Sequence, residues 1–348
     1  MSRYIRAIYA PLVGQRLSNQ EMLDAISSRF EKLEADDAEK TSLFDFVRLL
    51  LIGNRHRYNQ AGGKFLSMDG FVEHAAAFSR AVEESTSAIA AEILKEPPQQ
   101  PFDAVFGVSS EGLLLPGIAE LTASKLPNLI GRTATQMDFG NGGCTASVRA
   151  IQLVNNLSAD FRNVLIVVME PTSTLLDPKS TARSNWQGIC TFGDGCAGVW
   201  ISNEPGEGAV ELGNLRSWRG DAIDLIRWDW GSDYYRFGIA ELEQFESRVR
   251  GHVLEAINVL QLAKDPEASW AIHPAGIMLL LSLAKKLGLS RVALEPSLSH
   301  FKACSNMSSA SILHILKNIL GCAKPGQAIR WLSMGAGFHV TSGTGIRV

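Results

Sequence analysis

The chain has 348 residues, which at roughly 150 residues per domain suggests about two domains. Its 33 basic and 36 acidic residues leave a formal net charge of −3, which excludes a strongly basic nucleic-acid binder and an acidic tail protein. Apolar residues at 46% and charged residues at 20% are ordinary for a globular α/β protein and exclude disorder as the default.

Ile5 to Leu12 reads as a first strand. Ser18 to Leu33 reads as a helix, with Met22, Leu23, Ile26, Phe30 and Leu33 on one face and a capping box in Ser18-Asn19-Gln20-Glu21. Ala35 to Lys40 is a charged break. Ser42 to Ile52 is a second, apolar helix. Gly53 to Gly63 is a basic loop, and Gly70 to Leu94 a long helix that the Pro97-Pro98 pair ends. A β/α alternation follows: strand Ala104 to Val108, helix Pro116 to Leu126, strand Ala134 to Phe139, helix Ala146 to Leu157, strand Val164 to Glu170 and strand Ala197 to Ser202. Glu204 to Phe237 is irregular and rich in Trp and Asp. It reads as the connection between an N-terminal half, residues 1–203, and a C-terminal half, residues 204–348. The second half repeats the pattern, with helix Ala240 to Leu262, strand Trp270 to Ile272, helices Gly276 to Leu287 and Ser308 to Leu320, and strands Ile329 to Met334 and Phe338 to Val348.

No apolar run reaches about 18 residues, so no membrane span is expected, and Met1 to Ala10 is too short and mixed for a secretory leader. Five cysteines, at 144, 190, 196, 304 and 322, include no CxxC pair, so neither a disulfide framework nor a metal site is expected. A cytoplasmic location follows as the expectation.

Four stretches pair a reactive side chain with glycine or another small residue. In Gly140-Asn141-Gly142-Gly143-Cys144-Thr145-Ala146, a cysteine stands between a strand and a helix. Free N–H groups at a helix start lower a thiol pKa and offer oxyanion donors, so Cys144 reads as a nucleophile or as a small buried apolar residue. His273, in Ile272-His273-Pro274-Ala275-Gly276, sits at another strand end and reads as a site residue or a satisfied structural histidine. Asn306 precedes a helix and reads by itself as an N-cap. Phe192-Gly193-Asp194-Gly195 and Gly335-Ala336-Gly337-Phe338 are glycine turns that let backbone approach a ligand but match no phosphate-binding pattern. The order Cys–His–Asn suits a thiol site of either a transferase or a cysteine hydrolase.

Together these stretches resemble the thiolase-like condensing enzymes, and within them the type III polyketide synthases, the chalcone and stilbene synthase group. Asn306-Met307-Ser308-Ser309-Ala310-Ser311 is similar to that group's GNMSSA block, with Ser305 in place of Gly. Ile272 to Gly276 is similar to AHPGG, Phe192 to Gly195 to FGDG, Leu115-Pro116-Gly117 to MPG, and Met169-Glu170 to SE. Gly335 to Phe338 stands where GPGL is expected. The separation of 33 positions from His273 to Asn306 fits this branch better than the ketoacyl synthase III branch. The resemblance runs from about residue 100 to 348.

It implies a five-layered αβαβα thiolase fold of two pseudo-symmetric halves, active as a homodimer. It implies that Cys144 accepts an acyl group from a thioester as part of a thiolate–imidazolium pair with His273. His273 and Asn306 would stabilise the enolate left when a malonyl-type thioester loses CO2. The product would be a polyketide of pyrone or resorcinol type, made without metal or redox cofactor. Phe192 matches a gatekeeper aromatic, Tyr235 or Phe237 a second one, and Leu115 a residue that reaches into the partner's cavity. Ser308, Gly335 and Gly337 belong to the matched substrate-binding blocks. Arg48, Arg55 and Arg57 are the basic residues near the expected entrance, fewer than coenzyme A phosphates require. That makes acyl carrier protein thioesters an alternative to acyl-CoA, and a ketoacyl synthase III-like single condensation or acyl transfer the alternative reaction. Trp218, Trp228 and Trp230 read as cavity lining or as half-buried packing. A non-catalytic partner subunit would have lost the Cys, His and Asn.

Overall fold

The structure, a computed structural model, describes residues 2–52, 55–62, 65–231, 234–240, 242–262 and 264–348. In chain order the strands are β1 (Tyr4–Tyr9), β2 (Gln15–Ser18), β3 (His56–Asn59), β4 (Phe102–Ser109), β5 (Ile130–Gly140), β6 (Asn163–Glu170), β7 (Gly195–Ser202), β8 (Val210–Arg219), β9 (Ile226–Trp230), β10 (Tyr235–Ile239), β11 (Ser269–Ile272), β12 (Ala328–Gly335) and β13 (His339–Arg347). The helices are α1 (Asn19–Glu31), α2 (Asp37–Leu50), α3 (Gly70–Lys95), α4 (Ile118–Lys125), α5 (Ala146–Asn155), α6 (Arg183–Thr191), α7 (Phe245–Val259), α8 (Ile277–Leu287), α9 (Arg291–Cys304) and α10 (Ala310–Leu320).

Among the described residues, nine strands form one mixed sheet in the order β11-β12-β13-β8-β1-β7-β6-β4-β5. Its middle is the pairing of β1 with β8, where Tyr4 faces Glu211 and Ile5 faces Val210. Outward from that seam the two sides repeat one pattern. On one side β7 pairs antiparallel with β1 and with β6, and β6 runs parallel to β4. On the other side β13 pairs antiparallel with β8 and with β12, and β12 runs parallel to β11. β5 adds a parallel edge strand to the first side.

Side-chain alternation along the strands sorts the core into layers. On β6, Val164, Ile166 and Val168 face the same core as α5 and α10, whereas Leu165, Val167 and Met169 face α3 and α4. β4 divides likewise, with Phe106 and Val108 inward and Val105 outward. The inner core joins Val148 and Ile151 of α5 and Ile312 and Leu316 of α10 to both sides of the sheet, through Ile5 and Ile8 on one and Ile329 and Trp331 on the other. Val253 of α7, Leu283 of α8 and Leu298 of α9 cover the opposite outer face over Trp270 and Leu332. The order is helix, sheet, helix, sheet, helix: the five-layered αβαβα arrangement of the thiolase fold. Each fully buried aliphatic in these layers contributes roughly 1.5–3 kcal/mol. The 203/204 boundary falls in the connection from β7 to β8. Among the described residues, no helix is long and apolar enough to cross a membrane.

The capping box at Ser18 forms, with Glu21 N 3.3 Å from Ser18 Oγ and Ser18 N 2.7 Å from Glu21 Oε2. Other local expectations need correction. The charged break at 35–40 is largely the first turn of α2, which Asp36 caps through Glu39 N at 2.8 Å. The basic loop holds β3, paired with β2; its bounding Gly53 and Gly63 lie outside the described residues. The stretch from Glu204 to Phe237 holds β8, a strand at the sheet centre, and the hairpin strands β9 and β10. β8 was hard to read because it alternates only at its start and is mostly exposed beyond Leu212. Helix α9 continues through Pro296, near its start, a residue that ordinarily argues against a helix. The expected helix from Ala240 begins only at Phe245, and Glu241 lies outside the described residues.

Candidate active site

Cys144 lies in the single 3-10 turn Gly143–Thr145 that feeds α5. Gly143 has φ 56°, and its N–H donates to Ser110 Oγ at 2.9 Å, which pins the turn to the end of β4. The Cys144 carbonyl accepts from Ser333 Oγ of β12 at 2.7 Å. Gly335 passes so close that a Cβ there would stand 2.9 Å from Cys144 N and 3.2 Å from Thr145 N. Absence of that Cβ leaves room for a substrate oxygen at the Cys144 N–H.

His273 follows β11 directly and is tied to β12 by its N–H to Leu332 O at 2.8 Å. Its ring is buried, neither ring nitrogen has a hydrogen-bond partner within the protein, and burial pushes its pKa down to about 3. Asn306 is held by the FGDG stretch: its N–H donates to Thr191 O at 3.1 Å and its carbonyl accepts from Gly193 N at 2.9 Å. Its Oδ1 accepts from Ser308 N at 2.9 Å, a local cap that leaves its amide NH2 to hydrogen-bond Cys144. Ser308 Oγ lies 3.7 Å from Cys144 Sγ. Asp194 anchors the FGDG stretch, accepting from Gln60 N at 2.6 Å and from Ser173 N at 2.7 Å.

These groups open on one cavity. Cys144, His273, Asn306, Ser308, Phe192 and Gly335 line it. Of the two candidate second gatekeepers, Phe237 lines it and Tyr235 does not. The Phe237 ring stands 5.3 Å from that of Phe192, edge to face, while Tyr235 packs on Trp230 at 4.8 Å. Trp228 lines the cavity; Trp218 and Trp230 do not. Gly337 is not in its wall; φ 67° there turns the chain so that Ala336 and Phe338 are. Leu115 lies outside the cavity and is 99% exposed.

Cys144 and His273, expected as a thiolate–imidazolium pair, are both buried. Burial pushes the Cys144 thiol up to about 11, with nearby Glu111 adding to the rise and hydrogen bonds from Ser308 and Asn306 opposing it. Burial opposes the charged form of each group taken singly. The basic entrance differs from the expected one. Arg57 is 2% exposed and donates to Ile189 O at 2.8 Å and Phe192 O at 3.1 Å, bracing the gatekeeper loop from inside. Arg48 and Arg55 are exposed but line no part of the adjoining surface cleft. That cleft shares Gln187, Thr191 and Leu279 with the cavity and is walled by Leu49, Ile52 and Met278, all exposed, with Arg250 as its basic residue.

Sequence reasoning missed Ser110 and Glu111, which also line the cavity. An acid at the C-terminal end of an apolar strand, beside a parallel strand that also ends in Glu, was the available signal.

Comparison with known proteins follows the same lines. The family model for 3-oxoacyl-[acyl-carrier-protein] synthase III matches residues 137–216, the stretch that carries Cys144. A chalcone synthase-like protein of Bacillus subtilis (strain 168) is 27% identical over 255 residues, 69% of each chain. The 3,5-dihydroxyphenylacetyl-CoA synthase of Amycolatopsis balhimycina is 28% identical over 242 residues, 66% of this chain and 64% of that one, just under two thirds of its length. In structure, 1,3,6,8-tetrahydroxynaphthalene synthase of Streptomyces coelicolor A3(2), a bacterial type III polyketide synthase, superposes with TM-score 0.84 at 18% identity over 99% of both chains. The C-terminal type III polyketide synthase domain of Steely1 from Dictyostelium gives 0.82 at 16% over the full length of both. The chain thus has the fold of these type III polyketide synthase structures, and in sequence it is similar to the chalcone synthase-like and 3,5-dihydroxyphenylacetyl-CoA synthase proteins.

Proposed function

We propose that the protein is an acyltransferase that joins acyl thioesters by decarboxylative Claisen condensation, with Cys144 carrying the acyl group. The observation that carries this reading is the convergence of Cys144 and His273, from two strand-to-helix turns, and of Asn306, from the turn between α9 and α10, on one mostly apolar cavity. An incoming thioester transfers its acyl group to Cys144 Sγ, and the Cys144 N–H, kept open by Gly335, receives the oxyanion. A malonyl-type thioester then places its carbonyl between His273 and the Asn306 amide. Loss of CO2 leaves an enolate held by those two donors, and the enolate attacks the acyl carbon. Phe192 and Phe237 separate this centre from the rest of the cavity. No metal or redox cofactor takes part. The products are polyketides of pyrone or resorcinol type, formed in the cytoplasm.

The apolar mouth favours a second reading for the donor. With Arg250 as its basic residue it lacks the cluster of cations that coenzyme A phosphates require, so a carrier-protein thioester, whose pantetheine arm brings no nucleotide, suits it better. On that reading the enzyme makes a single condensation or acyl transfer, in the manner of ketoacyl synthase III. Leu115, exposed in the segment between β4 and α4, supports a homodimer in which it reaches the partner's cavity.

Intact-protein mass spectrometry tests both. Wild type is offered acyl thioesters on coenzyme A and on carrier protein, and a matching mass increase is expected that Cys144→Ala abolishes. Wild type unmodified by every donor would refute the nucleophile. Transfer from acyl-CoA as fast as from carrier protein would refute the donor preference. Adding malonyl thioester and identifying the released compound separates repeated from single condensation.

A further inference from the structure

Outside the cavity, one surface groove carries features that the reaction does not use. It runs between α8 and α9, and each helix gives it one face. Ile277, Leu281 and Lys285 stand four apart on α8 and so line one side of that helix. Arg291, Leu294, Leu298 and Lys302 do the same on α9, at spacings of three and four. Leu294 and Leu298, 2% and 5% exposed, form a sunken floor, while Leu281 is 49% exposed. Lys285, Arg291 and Lys302 edge the groove, and no acidic residue lines it. Among the described residues none of the three cations has an ion-pair partner. Residues 277–304 hold four basic side chains against the single acid Glu295, in a chain whose net charge is −3. This face is therefore opposite in sign to the molecule that carries it.

The groove is continuous with the way in to Cys144. Ile277 lines both the groove and the cleft at the cavity mouth, and Phe301 of the cleft directly precedes Lys302 of the groove. Arg55, which is exposed, is tied to the same end by its N–H to Lys302 O at 3.0 Å.

We propose that this groove docks an acyl carrier protein, whose acidic amphipathic helix lies between α8 and α9 while its pantetheine arm enters the adjoining cleft. This rests on the reading of Cys144 as the acceptor of an acyl thioester, and it commits that reading to a protein-borne donor. Charge and shape select this occupant. Acidic side chains of the helix meet Lys285, Arg291 and Lys302, and its apolar face covers Leu281 and the floor. Nucleotide phosphates are held by donors converging on one point, whereas these cations are spaced along two helices on either side of an apolar strip. A bilayer surface is too flat to follow a floor sunk between two helices, and it brings no thioester arm.

The test is binding of the source organism's acyl carrier protein, fluorescently labelled and in its apo form, read by anisotropy. Wild type is expected to bind it, and more weakly in about 0.5 M than in about 0.05 M NaCl. The double variant Lys285→Glu/Arg291→Glu is expected to bind about tenfold more weakly. Leu281→Asp, which places an acid on the apolar strip, is expected to weaken binding too. Lys286→Glu, a charge change one residue outside the groove, is expected to bind as wild type does. No binding by wild type, or a double variant no weaker than Lys286→Glu, would overturn the docking site.

Cys144 acylation is then followed with one octanoyl group carried on the carrier protein, on coenzyme A and on pantetheine alone. In the double variant the rate from the carrier is expected to fall about tenfold relative to the rate from pantetheine, whereas a misfolded variant loses both. An equal fall with octanoyl-CoA would assign the cations to nucleotide phosphates. Co-sedimentation of wild type, but not of the double variant, with phosphatidylglycerol vesicles would assign them to a membrane. Either result overturns the proposal. Binding of the apo carrier needs no thioester, so the two readings fail separately. Docking to a protein that no thioester acylates would refute Cys144 as the acceptor and uphold the groove. Acylation from pantetheine in a protein that binds no carrier would do the reverse.

Discussion

Ser305 shows what a single residue costs at this site. It terminates α9 with φ 64° and ψ −154°, a region that favours glycine. The block it precedes resembles one that begins with Gly, so here a serine occupies a conformation suited to Gly. Its Oγ donates to Thr191 O at 2.7 Å and offsets part of that strain by tying α9 to the loop that positions Asn306. Ser305→Ala keeps the strain and loses the bond, and is expected to lower stability by about 1 kcal/mol in urea titration. Ser305→Gly is expected to match or exceed wild type; an alanine variant as stable as serine would show that the hydroxyl contributes nothing. Cys144 stood out by itself, on a glycine turn between a readable strand and helix, whereas His273 and Asn306 each read alone as structural and were singled out only by the resemblance to a known family. Glu111 was not, since one acid at a strand end looks like a solvated terminus until its parallel neighbour is known. Arg57 was misplaced for a related reason: a guanidinium suggests solvent, and only the packed structure reveals the carbonyls of Ile189 and Phe192 around it.

Among the elements, the edge strand β5 is the most consequential. It is eleven residues long, pairs among the described residues only with β4, and leaves Met137 51% exposed, as Leu113 and Leu115 in the segment after β4 are exposed too. An open edge of this length flanked by apolar side chains invites pairing with another chain. Sedimentation at micromolar concentration is expected to give twice the 37.8 kDa chain mass, and Met137→Lys is expected to shift the species toward the monomer. A wild type that sediments at the single-chain mass at every concentration would refute the dimer. Strands with clean apolar runs, such as β4 and β6, could be read directly. β8 could not, because its exposed far end hides the regular alternation of its start.

The molecule as a whole keeps its central helical layer dry, and this makes it sensitive to acid. His314 of α10 faces Cys196 O at 2.9 Å and is buried, and burial pushes its pKa down to about 4. In the unfolded chain its pKa returns to about 6.5. Below that value the unfolded state binds a proton that the folded state refuses, so stability is lost as pH falls from about 6.5 toward 4. The loss approaches 1.4 kcal/mol per pH unit for this one group. His314→Gln removes it: between pH 7 and pH 5 the variant is expected to gain on wild type in thermal unfolding, and a constant difference across that range would contradict the account. The alternation of strands and helices gave the α/β class, and the five layers came from the resemblance to a known family, whereas the pairing that joins the two sides of the sheet was not readable from either. That seam sets the order of assembly. β1 finds its partners in β7 and β8, nearly 200 residues further along the chain, and until both have been synthesised neither of its edges is paired. A nascent chain therefore carries an open apolar strand through more than half of its synthesis. Folding dominated by such distant pairings is slow and competes with aggregation, so refolding yield should fall as protein concentration rises.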